Sequence, residues 1–340
     1  MIGLIGWQTA TGNGAMNYDI ASYLNALWLA PQHPRMDYHA PYHTDKTIKC
    51  MVHNDEDKYN NFLDQIDALI FVERPYLDWP LILQCRERKI VTLCIPMWEW
   101  LPNDAGWLRQ TDLMWAVTKY TRQYLEKHSS RRYSRWANDI YGEKWGVNLD
   151  LFPFIEKKTA NRFLFSNGNG GVGGRKGADI IAGVAARIPY IDITMLTQNL
   201  NYPEIPPNVK VSYRTYNTRP ELYSYGDVFL APTHWEGLGH QLYESQASGL
   251  PLICTNGPPM NESKPEYPIR VSSMVPTGLF SKNIMSLHCD VEQLVNTIKE
   301  INGTDISEKS RRARENIEEN FNLKETLAEI KFLLELKARK

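Results

Sequence analysis

Short apolar runs rich in β-branched and aromatic residues alternate along the whole chain with amphipathic stretches, and this alternation limits the possible folds more than any other feature. In the first half the strand candidates are 2–7, 68–73, 89–95 and 113–118, with helical stretches at about 15–29, 58–67 and 79–87. In the second half the strand candidates are 162–166, 191–196, 208–212, 227–231 and 251–254. Helices are expected near 176–187, 218–225, 240–248, 291–300, 306–319 and 323–337. Strands this continuously apolar suit parallel sheets covered by helices on both faces, which predicts an α/β protein. At 340 residues the chain exceeds the size at which one core usually stops growing, so two domains of roughly 150–180 residues are expected. A single large sheet is the alternative. The seam is expected within EKWGVNLDLFPFIEKKTANRF (143–163), where a short strand at about 144–147 leads into a polar loop.

Charge and cysteine content narrow the function classes. A net charge of −1 with mixed signs gives no support to a polyanion-binding protein, so no nucleic-acid partner is expected. Five scattered cysteines without a C-x-x-C pair argue against a disulfide framework or a structural zinc site and fit a reducing compartment. The N-terminus lacks the basic start and apolar run of a signal peptide. No apolar stretch approaches the roughly 18–20 residues that span a bilayer. A cytoplasmic protein, at most peripheral to a membrane, is expected.

Residues 227–256, DVFLAPTHWEGLGHQLYESQASGLPLICTN, are the most informative segment. An apolar strand ends in a loop containing Glu236, Gly237, Leu238 and Gly239, and a helix follows. Glycines at the carboxyl end of a parallel strand let backbone N–H groups approach a ligand, and the helix N-terminus behind them favours negative charge. Glu236 and Glu244 are eight residues apart, one in the loop and one about two turns into the helix. Two glutamates alone fit an ordinary strand–loop–helix unit with surface glutamates better than a ligand site.

Taken whole, Asp227–Pro232, Glu236-Gly-Leu-Gly239, Glu244 and Ala247-Ser-Gly-Leu-Pro251 resemble the E-x7-E signature of retaining GT-B glycosyltransferases, the family 4 type. The resemblance implies two Rossmann-like domains facing each other across a deep cleft. Residues 1–152 would form the acceptor domain, with the helix at 323–340 packing back on it, and residues 153–322 the nucleotide-sugar domain. It implies transfer of a hexose, with retained configuration, from a GDP- or UDP-sugar to a glycan or other hydroxyl acceptor. Glu236 would contact the donor sugar and Glu244 the ribose. Glu262, after Gly257-Pro-Pro-Met-Asn, sits where such enzymes have a second glycine-rich turn.

Other segments fit the same family. FLFSNGNGGVGGRKGADII (163–181) is similar to its strand, glycine loop and Lys-Gly-x-Asp helix start, with Lys176 matching the diphosphate-binding lysine and Gly168 and Asn169 in the donor loop. The family's arginine position holds Asn169, and Arg175 is the candidate for that charge. Cations at a helix start oppose the helix dipole, so an anion nearby is expected. Gly146-Val-Asn-Leu-Asp-Leu-Phe152 resembles the stretch that ends the first domain. In GWQTATGNGAMNYDIASYL (6–24), Gly12, Asn13 and Gly14 lie between the first strand and helix, where the family's loop faces the donor phosphates. The full G-x-G-x-x-G of a dinucleotide site is absent.

Eight histidines show no metal-ligand spacing, and Asp55-Glu-Asp57 precedes a polar helix instead of closing an apolar strand. No metal or other cofactor is expected; Lys176, Arg175 and helix N-termini would neutralise the leaving diphosphate. Nine of the ten tryptophans lie in the first 150 residues. Trp98 and Trp100 are candidates to stack on an acceptor sugar, or equally to fill the core. The basic clusters Arg131–Trp136 and Lys337–Lys340 could touch an anionic membrane or simply be solvated. Two other readings remain: a noncatalytic nucleotide- or glycan-binding module of the same fold, and a sugar-nucleotide epimerase.

Overall fold

The computed structural model describes residues 1–32, 42–51, 55–75, 79–101, 106–132, 140–168, 174–198, 205–213, 218–279 and 284–338. Asn169, Tyr133–Trp136, Arg339 and Lys340 lie outside the described residues. The chain forms two compact units, Met1–Trp145 with Leu323–Lys340, and Gly146–Asn322.

The first unit runs β1 (Ile2–Ile5), α1 (Gly12–Leu24), β2 (Leu27–Gln32), β3 (Thr47–Met51), α2 (Glu56–Leu63), β4 (Ala68–Val72), α3 (Trp79–Glu87), β5 (Val91–Ile95), β6 (Leu113–Trp115), α4 (Lys119–Arg132) and β7 (Ile140–Tyr141). Its seven strands lie in the order β3-β2-β1-β4-β5-β6-β7, with every neighbouring pair parallel. β4 and β5 are buried along their whole length, which is why ALIFV and VTLCI read as unbroken apolar runs rather than alternating ones. The helix expected at 15–29 is shorter. Asn25 adopts a left-handed conformation (φ 51°) and ends α1, as Asn tolerates at a helix C-terminus. Leu27–Gln32 then pairs with β1 as a strand.

The second unit runs β8 (Phe163–Gly168), α5 (Ala178–Arg187), β9 (Ile193–Thr197), β10 (Val209–Tyr213), β11 (Val228–Ala231), α6 (His240–Ala247), β12 (Leu252–Thr255), β13 (Tyr267–Ile269), β14 (Val271–Pro276), β15 (Met285–Cys289), α7 (Val291–Ile301) and α8 (Ser307–Asn320). Six parallel strands are ordered β10-β9-β8-β11-β12-β13, and β14 and β15 form a separate antiparallel hairpin. Its core is built from Phe163, Phe165, Ile193 and Leu230 of the sheet with Ile181, Val184, Leu294 and Val295 of the covering helices. α9 (Leu323–Ala338) belongs to the first unit and touches α1 and β5.

One expectation at the seam is corrected. No strand spans 144–147: the strand is β7 at 140–141, and Val147 makes only an isolated bridge to Asn322. Residues 146–152 sit with the second unit, where Phe152 is fully buried with its ring 6.0 Å from that of Tyr223. The helix expected at 218–225 is a 3-10 turn, Pro220–Tyr225. Among the described residues, no helix is long and apolar enough to cross a membrane.

Candidate functional site

In the second sheet the connections run outward to β9 on one side of β8 and to β11 and beyond on the other. The carboxyl ends of β8 and β11 therefore flank the point where strand order reverses, the usual place for a ligand in an open α/β sheet. Gly177 begins α5 at φ +82°, and a Cβ there would lie 2.4 Å from the carbonyl oxygen of Pro232. Only glycine permits both the backbone conformation and the close approach of the two loops. The backbone N–H of His234 donates to the Arg175 carbonyl at 2.8 Å and ties the loops together.

This contact brings Glu236 against two cations. Lys176 Nζ lies 2.5 Å from Oε1 and Arg175 Nη2 lies 3.7 Å from Oε2. The side chain of Glu236 is 3% exposed, those of Lys176 and Arg175 17% and 18%. Burial alone would raise the Glu236 pKa, but Lys176 and Arg175 outweigh it and hold the carboxyl below the usual carboxylate range. The anion expected near the cations at the start of α5 is thus Glu236 itself. A small cavity opens beside the pair, lined among others by Ser166, Lys176, Thr233, Glu236, Gly239 and Gln241. Gln241 Nε2 donates to Ser166 Oγ at 2.8 Å across it. Gly237 and Leu238 are buried, and Gly239, at φ +77°, begins α6. The carbonyl of Gly168 accepts from Gln198 N at 2.6 Å and Thr197 Oγ at 3.2 Å, which fixes the end of β8.

Glu244 lies on the second turn of α6 in a separate circuit. Oε1 accepts from Arg219 Nε at 3.0 Å and also from Arg219 Nη2. Oε2 accepts from the Tyr223 hydroxyl at 2.7 Å. Burial opposes ionisation here too, and Arg219 first, then His240, reverses it, so the Glu244 carboxyl is also held below its ordinary range. Between the circuits stands His240, the first residue of α6, with Nδ1 3.9 Å from Glu244 Oε1. Burial pushes its pKa down to about 4, so it is neutral at pH 7. Arg219 and Tyr223 were not among the residues singled out by sequence. They lie 25 and 21 positions from Glu244, and no local spacing links them to it.

In the first unit, Gly12 and Asn13 open α1 beyond the carboxyl end of β1. Asn13 Oδ1 accepts from Asn17 Nδ2 at 2.8 Å. A Cβ on Gly14 would sit 1.9 Å from the Thr9 carbonyl oxygen, so the tight loop by itself requires glycine there. Trp98 is 5% exposed and packs edge-on against Tyr120, ring centroids 5.0 Å apart, and beside Tyr124 at 5.8 Å. Its ring fills the interior; Trp100 is partly buried. Asp55 accepts from Met51 N at 2.8 Å and Lys58 Nζ at 3.1 Å at the start of α2. Glu262 sits in the 3-10 turn Met260–Ser263.

Residues 202–267, which contain Glu236 and Glu244, match the family model described as glycosyl transferases, group 1. No curated protein matches the chain in sequence. A glycosyltransferase from Rickettsia africae superposes with TM-score 0.68 at 14% identity, over 99% of this chain and 98% of that one. A sucrose-phosphate synthase from Thermosynechococcus elongatus gives 0.65 at 14% identity, over 100% and 99%. The catalytic domain of starch synthase IV from Arabidopsis thaliana gives 0.62 at 9% identity, over 100% and 99%. The protein has the two Rossmann-like α/β units of the GT-B glycosyltransferase fold.

Proposed function

We propose that the protein is a retaining hexosyltransferase that moves a hexose from a nucleoside-diphosphate sugar to a hydroxyl of a glycan or glycoconjugate. The observation that carries this reading is the Glu236–Lys176–Arg175 cluster, placed beside a cavity at the strand-order reversal of the second sheet. Lys176 and Arg175 present positive charge where a diphosphate would lie, and α5 and α6 begin at the same loops. These groups would stabilise the leaving diphosphate without a required metal. Glu236 would bond the donor sugar. The bond from the anomeric carbon to the diphosphate oxygen breaks, and a bond to the acceptor oxygen forms on the same face. The acceptor proton passes to the departing diphosphate. Starch synthase IV, of the same fold, holds ADP and acarbose, a nucleoside diphosphate and a saccharide, which supports the same substrate classes here. Five free thiols, all buried, support a cytoplasmic setting.

The test is nucleotide release from UDP-, GDP- and ADP-hexoses with a mixed panel of glycan acceptors. One donor class is expected to turn over, and Glu236→Gln to slow it on the order of 10²–10³-fold, with a product anomer matching that of the donor. A folded protein that binds a nucleotide sugar and releases nothing would be a binding module, and an inverted product would end the retaining assignment.

A further inference from the structure

Glu236 lies in the loop between β11 and α6, where no sheet ladder fixes the backbone. Its place depends on what holds the residues beside it. His234, two positions earlier and 5% exposed, is bonded on several sides. Its backbone N–H donates to the Arg175 carbonyl at 2.8 Å, and its carbonyl accepts from Leu287 N of β15 at 3.0 Å. The ring returns to the same residue, with Nδ1 3.3 Å from the Leu287 carbonyl oxygen. A carbonyl only accepts, so Nδ1 carries the proton. Nε2 then faces Asp179 Oδ1, 3.9 Å away in the first turn of α5. The ring packs 4.4 Å from that of His288, whose Nε2 is 3.1 Å from Ser286 Oγ. Leu287 gives both of its main-chain groups to His234. The β14–β15 hairpin, separate from the six-stranded sheet, is fastened in this way to the loop that bears Glu236.

We infer that His234 is a positioning residue whose Nδ1–H, held by β15, keeps the 232–236 loop where Glu236 meets Lys176 and Arg175. This rests on the donor-site reading above and deepens it. The backbone bonds of His234 survive a change of side chain, so the ring bond is the part that substitution removes. Glu236 faces Lys176 and Arg175 from the loop before α5 and His240 from α6. His234 faces Asp179 from α5 and His288 from β15. Burial alone would raise the Glu236 carboxyl, and the nearby cations outweigh it. If the loop drifts from Lys176, burial is less opposed and the titration of Glu236 moves up.

The experiment follows the Glu236 carboxyl by carbon-13 NMR between about pH 4 and about pH 8 in the wild type, His234→Phe and His234→Asn. Loss of the signal in Glu236→Gln assigns it. Phenylalanine keeps a ring against His288 and removes the N–H; asparagine loses the ring and keeps an N–H near the place of Nδ1. The wild-type signal is expected to stay ionised across this range. In His234→Phe it should move toward the protonated form at the acid end, with nucleotide release from the donor slowed about 10-fold or more, as a misplaced group costs. His234→Asn should melt at a lower temperature yet keep the wild-type titration and most of the rate. A purely structural histidine would lower stability in both variants and leave the Glu236 titration unmoved, which overturns the inference. A shift in His234→Asn as large as in His234→Phe overturns it as well. If His234→Phe does not fold, His234→Ala takes its place. A wild type that turns over no nucleotide sugar, with the carboxyl shifting as expected, overturns the proposed function and leaves the positioning role standing.

Discussion

Three buried or half-buried carboxylates of the second unit meet three different environments, and their titration differs accordingly. Glu236 and Glu244 are held ionised by Lys176 with Arg175 and by Arg219 respectively. Their folded pKa values lie below the unfolded ones, so the stability they contribute is present above about pH 4.3 and is lost as the pH falls through the folded values. For Glu266 burial outweighs the cations around it. Burial pushes its carboxyl up to about 7, against the Leu252 N–H that donates to Oε2 at 2.8 Å and weaker pulls from Arg312 and Lys309. With a raised folded pKa, ionising Glu266 opposes folding. That penalty is absent below about pH 4.3 and complete above about pH 7. Glu266→Gln, whose amide oxygen can still accept from Leu252, is therefore expected to stabilise the protein by roughly 1–2 kcal/mol at pH 8, a few degrees in Tm, and by much less at pH 5. Denaturation at the two pH values checks this; an equal gain at both would contradict the account. Nothing in the sequence around Glu266 signals the effect, because its desolvation comes from tertiary packing.

At the scale of elements, the site depends on two strand–loop–helix units approaching closely at Gly177. Gly177→Ala would force a β-carbon to within 2.4 Å of the Pro232 carbonyl oxygen at a left-handed φ of +82°. The loop carrying Lys176 must then move. The variant is expected to lose 1 kcal/mol or more of stability, roughly the cost of a non-glycine residue in such a conformation, and about tenfold or more in donor affinity. Thermal melts paired with donor titration measure both, and a variant with unchanged affinity would show that the two loops need not touch. The strands of this unit were legible in sequence because β8, β11 and β12 are buried on both faces and so read as apolar runs. The helix expected at 15–29 takes in the start of β2 because Leu27–Leu29 continues the apolar character of α1, and only the left-handed Asn25 breaks it. The hairpin β14–β15 escaped because its first strand is largely exposed and rich in serine. α4 escaped because KYTRQYLEKHSSRR has no clear apolar stripe. The loop and helix positions of Glu236 and Glu244 were legible from the sequence, whereas the Arg219 contact to Glu244 appears only once the 3-10 turn is placed against α6.

At the scale of the whole molecule, the first unit is discontinuous: the chain leaves it at Trp145, builds the second unit, and returns with α9 at Leu323. The candidate cluster lies wholly within Gly146–Asn322, so the central claim, that Lys176 and Glu236 mark a nucleoside-diphosphate site, can be tested on the intact chain. A net charge of −1 means that anion affinity must come from this local cluster rather than from the overall field. The most direct measurement is the thermal stability of the wild type and Lys176→Ala with UDP, GDP and ADP in turn. One diphosphate at about 100 times its Kd is expected to add roughly 2.7 kcal/mol, several degrees in Tm, with most of that shift absent in Lys176→Ala. Flat melting curves with all three nucleotides, or an undiminished shift in Lys176→Ala, would contradict the assignment.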